Sequence, residues 1–323
     1  MVDVTNVTAT IGVTGATGFI GTHLVRALRR DGANVKALSR RAPSLPNDDL
    51  PGTLSWVSGS LSDEAQLQNF VSGCDAVIHL AGAIKALNRD QFLADNAEGT
   101  RRLAKIAAAQ AEPPRFIHVS SLAAREPRLS NYALSKRESE KALRPFTSKM
   151  SISIIRPPAV YGPGDKETLR IFLLAARGFG IAPPHRHARL SLIHVDDLVS
   201  AILNLLPLRD DPGEPLEIDD GQPGGHDWPG VVAAAGAALQ TKPKLFAIPA
   251  AALYLAGAAG SVFAQMTQQS STLSWDKIPE LLHPDWVARG PTVPGWNPRW
   301  GIKDGFKNTV NWAISQGLLK SYS

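Results

Sequence analysis

One cysteine, Cys74, stands among 323 residues. A lone thiol excludes an intrachain disulfide and suits a reducing compartment, so the expected location is cytoplasmic and Cys74 is read as a packing residue. The first ten residues are polar and β-branched. They lack the basic start and apolar stretch of a secretory signal, and no signal peptide is expected. Metal-site spacing is lacking too: His79 has no second ligand at a suitable interval, so it is expected to pack within a strand and no metal is expected. Excess charge of one sign is small, since 34 Lys and Arg against 29 Asp and Glu give a formal +5, with the basic residues scattered. That argues against a nucleic-acid surface and is accounted for equally by an anionic cofactor or small-molecule substrate. There is no internal repeat and no low-complexity tract. What is present is 44% apolar content, enough at this length for a full core, expected as one large domain and a smaller lobe of a globular enzyme.

The organising stretch runs from Ile11 to Val25. Apolar residues flank Gly12 up to Thr14; then Gly15, Gly18 and Gly21 punctuate a turn, and Phe19, Ile20, Leu24, Val25 and Leu28 begin a helical pattern. In a strand, turn and helix of this kind Gly15 permits the tight turn, Gly18 lets the backbone close on a pyrophosphate, and Gly21 lets the helix lie near the strand. Free N–H groups at the helix start attract phosphate. A second strand over 33–38 follows, as a dinucleotide site requires. It ends in Ser39-Arg40-Arg41, with no acidic residue to bond the ribose 2′-hydroxyl of NAD. Arg40 offers a planar fork to the 2′-phosphate of NADP, so NADP is the expected cofactor and NAD the less favoured one; two solvated arginines are the plainer alternative.

Residues 42–54 are rich in Pro, Asp and Asn and read as a loop. A short strand over 55–57 and a helix over 64–72 are expected next, then a strand from Ala76 whose end, Leu80-Ala81-Gly82, leaves room for a cofactor backbone. Asn96 is expected to open a long helix through Ala111, which Pro113-Pro114 stops. Arg115 to Ser121 reads as a strand delivering two hydroxyls, Ser120 and Ser121, at its end. Tyr132 and Lys136 stand four residues apart in a helix expected through Leu143. They share one helix face and can act on one substrate.

The TGxxGxxG loop, His79-Leu80-Ala81-Gly82, Asn96 in NxxGT, Ser120-Ser121, Tyr132-xxx-Lys136, Arg156-Pro157 before Val160-Tyr161-Gly162-Pro163-Gly164-Asp165, and His194-Val195-Asp196-Asp197-Leu198 occur in one order. In that combination the chain resembles the extended short-chain dehydrogenase/reductases over most of its length. The resemblance implies an α/β, doubly wound parallel-sheet Rossmann domain over 8–165, with 190–220 returning to it. It also implies a smaller, mostly C-terminal substrate lobe over 166–189 and 221–323. It assigns cofactor contacts to Gly15, Thr17, Gly18, Phe19, Ile20 and Gly21 in the loop, to Arg40, Ser60 and Leu61, to Leu80, Ala81 and Gly82, and to Val119, Lys136, Pro157 and Val160. Ser60 stands where the family commonly has an aspartate that meets adenine, so that contact is expected to be replaced, with Leu61 packing on the ring. The implied catalytic set is Ser121, with Ser120 the lesser alternative, Tyr132 and Lys136; Asn96 is a helix-bending or relay asparagine. A phenol ionises near pH ~10, and an adjacent ammonium lowers that value toward working pH. Tyr132 would then move a proton at the substrate oxygen, Ser121 would hold that oxygen, and Lys136 would serve both tyrosine and nicotinamide ribose.

Three departures narrow the substrate. Only ten residues separate Ser121 from Tyr132, which trims the loop a large polar substrate would touch. Leu122-Ala123 stand where the dehydratases carry Asp-Glu, so the acid of that chemistry is missing. Arg189 lies one place early for the diphosphate partner of the sugar-nucleotide epimerases, and in a strand one place reverses the face; Arg186 or Arg189 would have to reach an anion from a loop. The Val-Asp-Asp-Leu element is read as fixing the start of a helix through Leu206, with Asp196 or Asp197 as N-cap. Leu245 to Ala264 carries no charge and is long enough to span a bilayer, but Pro249 interrupts it and Ala and Gly dominate. A buried or pocket-lining helix is favoured over membrane contact, and if it lines the pocket the expected substrate is apolar. The five tryptophans from Trp275 onward are read as core and lobe contacts, and a homodimer is compatible with the sequence. The expectation is an NADP-dependent oxidoreductase interconverting alcohol and carbonyl on a small or medium, largely apolar substrate. Its alternatives are a sugar-nucleotide epimerase and a catalytically silent NADP-binding structural or regulatory protein.

Overall fold

The computed structural model describes residues 9–41, 49–185, 188–208, 213–267 and 275–320, without the side chains of 262–267. Arg186, the first eight residues and the 42–48 part of the expected loop lie outside the described residues. The chain divides into two compact units: 1–127 with 131–156 and 199–216, and 128–130 with 157–198 and 217–323.

In the first unit the elements run β1 (Thr10–Thr14), α1 (Phe19–Arg30), β2 (Asn34–Ser39), β3 (Leu54–Ser58), α2 (Glu64–Val71) and β4 (Ala76–His79). They continue with α3 (Arg89–Phe92), α4 (Gly99–Ala107), β5 (Arg115–Val119), α5 (Asn131–Lys141) and β6 (Ile152–Arg156). Together with a short edge strand, Leu216–Glu217, these form a seven-stranded sheet in which β6, β5, β4, β1, β2 and β3 follow the edge strand in that order. Every pairing from β6 to β3 is parallel. The central strands β1, β4 and β5 are almost wholly buried and mostly apolar, as a sheet covered on both faces requires, while β3 at the edge is largely exposed or half-buried. Strand order reverses between β1 and β4, so the turns leaving those two strands open a crevice at the carboxyl ends of the central strands, the place where such folds bind ligands. Leu67, Phe70, Leu103, Phe116 and Leu143 fill the core on one face, and Cys74 belongs to that core. Its thiol donates to the Phe70 carbonyl, and burial pushes its pKa up to about 11.

One helix differs from the sequence expectation. It does not open at Asn96: α3 starts after Asn88, whose side chain accepts the Gln91 amide at 2.9 Å, an N-cap that replaces a lost helical partner. Between α3 and α4 the chain makes a π-helical turn, Leu93–Glu98, and α4 ends at Ala107 rather than Ala111.

The second unit contains β7 (Ala159–Tyr161), α6 (Leu169–Ala176), β8 (Phe179–Ala182), β9 (Arg189–Leu190) and β10 (Leu192–His194), followed by the first turn of α7 (Val195–Leu205). Beyond the edge strand, β11 in chain order, come β12 (His226–Asp227), α8 (Trp228–Leu239), β13 (Lys244–Ala247), α9 (Ala250–Thr267), α10 (Ile278–Leu282), β14 (Asp285–Trp286) and α11 (Ile302–Ser315). Tyr161 belongs to the core of this unit. Its ring meets Phe306 edge-on at 5.0 Å and His194 at 5.4 Å, and Phe172 packs on Phe306 at 4.9 Å. The expected Asp cap of α7 is corrected. His194 Nδ1 accepts the Asp196 amide, while Asp197 accepts the amides of Arg299 and Trp300, so it ties down a distant segment. The uncharged run is not one helix. Pro249 separates β13 from α9, and among the described residues no helix is long and apolar enough to cross a membrane. Nor is α9 wholly buried: Leu253 and Gly257 face inward while Ala251, Ala252 and Leu255 are exposed. Trp275 is 53% exposed and leaves the expected core set, whereas Trp296 is buried.

Candidate active site

The turn after β1 is built from close backbone approaches. Gly15 has φ +72°, and a Cβ there would stand 2.8 Å from the Ala81 nitrogen. A Cβ on Gly21 would run into the Gly15 carbonyl oxygen. No larger residue is accommodated at either position without moving the loop. The Gly18 amide donates to Gly15 O at 3.0 Å and Gly18 becomes the N-cap of α1, with no side-chain cap and no acidic residue in the first turn. The start of α1 is therefore electropositive and carries no anion of its own. Thr17 and Gly18 are exposed, and Phe19 and Ile20 are half-buried. These residues fit a dinucleotide pyrophosphate.

The second wall of the crevice, Leu80 to Ala83, is fixed from beneath. Thr14 Oγ1 accepts the Ala81 amide at 3.2 Å and bonds His79 Nδ1 at 2.7 Å; His79 Nε2 bonds Thr100 Oγ1 at 2.9 Å. Thr100 in turn donates to the Asn96 carbonyl at 2.6 Å. The Asn96 side chain clasps Ala83 twice, accepting its amide at 2.7 Å and donating to its carbonyl at 3.0 Å, and donates also to Ser135 Oγ at 2.8 Å. Ser135 donates to the Tyr132 carbonyl at 2.8 Å. A single chain of hydrogen bonds thus runs from the glycine turn through the π-helical turn to the start of α5. His79 is a packed strand histidine, as expected. Burial, assisted by the Lys136 charge, lowers its pKa to about 3, and its ring stacks on that of His118 at 5.3 Å. Among the described residues no cluster of metal-ligating side chains occurs.

Lys136 is buried and donates to the Val119 carbonyl at 2.9 Å. Burial lowers its pKa from 10.5 to about 8, against the opposing pull of the Glu140 carboxylate. Tyr132, half-buried, meets Phe92 edge-on at 6.2 Å. The two serines diverge. Ser120 is buried and donates to Glu140 Oε1 at 2.6 Å, and the same carboxylate receives Arg156 through Nε at 2.8 Å and Nη2 at 2.6 Å. Ser121 is half-buried at the strand end, where its oxygen accepts the Ala123 amide at 3.2 Å.

Sequence reasoning missed this Glu140–Arg156 pair, although Glu140 stands one helical turn beyond Lys136 and Arg156 ends a strand; those positions were the available signal. His118, which bonds Ser139 Oγ at 2.9 Å, was missed as well. Of the expected cofactor residues, Arg40 is exposed just past the end of β2. The Ser60 hydroxyl bonds Ser62 at 2.8 Å, and Leu61 packs over Gly99, where a Cβ would stand 2.9 Å from Leu61 Cδ1. Gly82 is open to solvent, with Asn96 Oδ1 3.0 Å from where its Cβ would be. Pro157 and Val160 belong to the second unit, where Pro157 is buried and Val160 half-buried in β7. Arg189 is exposed, in β9, and among the described residues its side chain reaches the Gly225 carbonyl at 3.5 Å.

Residues 11–218 match the model of the NAD dependent epimerase/dehydratase family. The chain is 39% identical to the ceramide reductase of Caulobacter vibrioides over 98% of each chain. It is 27% identical to the UDP-glucose 4-epimerase of Vibrio cholerae, covering 92% of this chain and 93% of that one. Its fold is also that of the Bordetella bronchiseptica enzyme WbmG in complex with NAD, at TM-score 0.71 and 18% identity, covering 99% of this chain and 98% of that one. By that family model and the end-to-end similarity to named relatives, the chain belongs to the NAD dependent epimerase/dehydratase family and is an NAD(P)-dependent oxidoreductase or epimerase of the extended short-chain type.

Proposed function

We propose that this protein is an NADP-dependent reductase of a ceramide-class carbonyl, a ketone on an N-acylated long-chain base that becomes the alcohol. The observation that carries the reading is the end-to-end similarity to the ceramide reductase of Caulobacter vibrioides. It agrees with the apolar substrate that the trimmed Ser121–Tyr132 segment suggests. The same reading assigns the coenzyme: Arg40 is exposed at the end of β2 with no carboxylate beside it in sequence, which favours a 2′-phosphate over a bare ribose.

The chemistry that the dinucleotide supplies when bound is a hydride to the carbonyl carbon. Ser121 holds the carbonyl oxygen by a hydrogen bond that strengthens as negative charge gathers there. Tyr132 passes its phenolic proton to that oxygen, and the Lys136 ammonium, four residues on along the same face of α5, stabilises the phenolate left behind. Ser120 takes no part, because its proton is directed to Glu140. Asn96 is a positioning residue: both ends of its amide are engaged by Ala83 and Ser135.

The test is turnover of a detergent-dispersed keto-ceramide by the purified protein, with NADPH and with NADH, beside Tyr132→Phe and Arg40→Ala. NADPH-dependent reduction that Tyr132→Phe abolishes, with coenzyme preference lost in Arg40→Ala, is the expected result. Interconversion of UDP-sugars without ketone reduction would move the assignment to the epimerase alternative. NADPH binding without turnover of either substrate would leave the structural reading in its place.

A further inference from the structure

The second unit carries a two-stranded parallel sheet with one covered face and one open face. β8 and β13 pair Phe179 with Lys244 and Ile181 with Phe246. Alternation along the strands puts these four side chains on the same face. Phe179, Ile181 and Phe246 are 49%, 39% and 50% exposed, and the two phenylalanine rings lie 6.0 Å apart. The opposite face is closed: a Cβ on Gly180 would run into Val232 Cγ1, so α8 lies directly on that strand. A contiguous group of large apolar side chains left in water marks an interaction surface.

The two segments that carry it hold charge of one sign, between acidic residues at Glu167, Asp227 and Asp276 that border them. From Trp228 to Trp275 the chain contains no Asp or Glu, and Lys242 and Lys244 are its only charged residues. From Thr168 to Pro184 only Arg170 and Arg177 are charged. All four basic residues are exposed. Arg170 also lines an apolar cavity of about 140 Å³ behind Phe179 and Ile181. The neighbouring helix α9 bears no charged residue, and its outward face at Ala251, Ala252 and Leu255 is apolar.

We infer that this face docks on an anionic lipid surface. Phe179, Ile181 and Phe246 enter the interfacial layer, and Arg170, Arg177, Lys242 and Lys244 face the lipid phosphates. A bilayer supplies both complements at once, an apolar layer beneath a plane of negative charge, and asks for no shaped pocket or matched hydrogen bonds in return. The inference stands on the second unit alone and is independent of the proposed reaction.

Co-sedimentation of the full-length protein tests it, using vesicles of phosphatidylcholine alone and vesicles with about one third phosphatidylglycerol. Binding to the anionic vesicles is expected, with loss of most of it in about 0.5 M salt. Phe179→Ser with Phe246→Ser, and separately Arg177→Glu with Lys244→Glu, should each weaken binding about tenfold or more while the unfolding temperature stays near that of the parent. Should the apolar double variant fail to fold, Phe246→Trp gives a second reading: its added fluorescence must be quenched by lipids brominated along the chain. Equal binding to both vesicle types, binding to neither, or undiminished binding by the folded variants overturns the inference. So does concentration-dependent dimerisation that disappears in the apolar double variant, which would make the occupant a second copy of this chain.

Discussion

The Lys136 ammonium sits 2.9 Å from the Val119 carbonyl oxygen, at the end of the strand that delivers Ser120 and Ser121. The helix bearing Tyr132 is thereby pinned to that strand, and the pin carries a proton whose affinity is reduced by burial. Between about pH 8 and 10.5 the folded chain has released a proton that the unfolded chain still binds. Stability from this group therefore rises with pH across that window and is lowest below it. Lys136→Met should remove this contribution, seen as an unfolding temperature that climbs less than the parent's between about pH 8 and 9, below the range where the Cys74 thiol, pushed up to about 11, opposes it. In the ketone assay the same variant should lose about a hundredfold or more in turnover.

The buried histidines act at the other end of the scale. His79 is held near 3 against an ordinary 6.5, and burial drives His118 well below 6.5 too. Below pH 6.5 the unfolded chain takes up protons that the folded chain refuses, so stability falls as pH drops from 6.5 toward 3. The loss should amount to a few kcal/mol. Urea unfolding at stepped pH measures it, and His79→Gln should reduce the slope. A slope unchanged by that substitution would show that other groups drive acid unfolding.

The two serines offer a contrast within one dipeptide. Ser120→Ala removes a hydrogen bond to a carboxylate that Arg156 still holds, and should cost about 1–2 kcal/mol of stability with turnover nearly retained. Ser121→Ala should cost about 1 kcal/mol through the Ala123 amide it caps and lower turnover about a hundredfold. Equal kinetic losses for both would argue against the division of roles proposed for them.

Arg156→Met leaves Glu140 buried with its main partner gone; Arg137 stands only at 3.6 Å. Removing one member of a buried pair costs about 3–5 kcal/mol, and a chemical denaturation series should find a loss of that size. Glu140→Leu combined with Arg156→Met should recover much of it, because neither charge is then stranded.

At the glycine turn, Gly21→Ala sets a methyl against the Gly15 carbonyl oxygen. Overpacking of this kind costs about 1–3 kcal/mol. The displaced turn should also weaken NADPH binding, measurable by calorimetry. Gly32→Ala is the control: Gly32 has a positive φ, as Gly15 does, but nothing lies within 4 Å of its would-be Cβ, so strain there should lower stability without touching the coenzyme.

Much of the first unit was legible because local chemistry and global fold agree there. Gly15, Gly18 and Gly21 state a turn whose backbone approaches the structure contains, and the spacing of Tyr132 and Lys136 states a helix face. Legibility failed where side chains act on backbone far away in sequence. Asn96 is read both as opening a helix and as a helix-bending or relay asparagine; Asn88 does the capping, and Asn96 lies within the π-helical turn and clasps Ala83. Asp197 looks like a cap because aspartate at a helix start usually is one, and instead receives the amides of Arg299 and Trp300. Pro249 was legible as a break in the uncharged run, but not that the residues before it form a strand, since a short uncharged run reads alike as strand or helix. The Glu140–Arg156 pair was hidden by its charges, which are usually taken for surface.

The π-helical turn at Leu93–Glu98 amounts to an α-helix carrying one surplus residue, and its phase matters more than its length. Each residue of an α-helix advances the side chains by about 100°. Deleting one exposed residue of the turn, Ala94, would regularise the helix and rotate Asn96 away from Ala83 while leaving Arg89–Phe92 helical. The clasp on the crevice wall would open though no member of it had been mutated. Alignment between the dinucleotide crevice and the tyrosine helix is thus encoded as a residue count, and a single codon lost from this stretch would detune it.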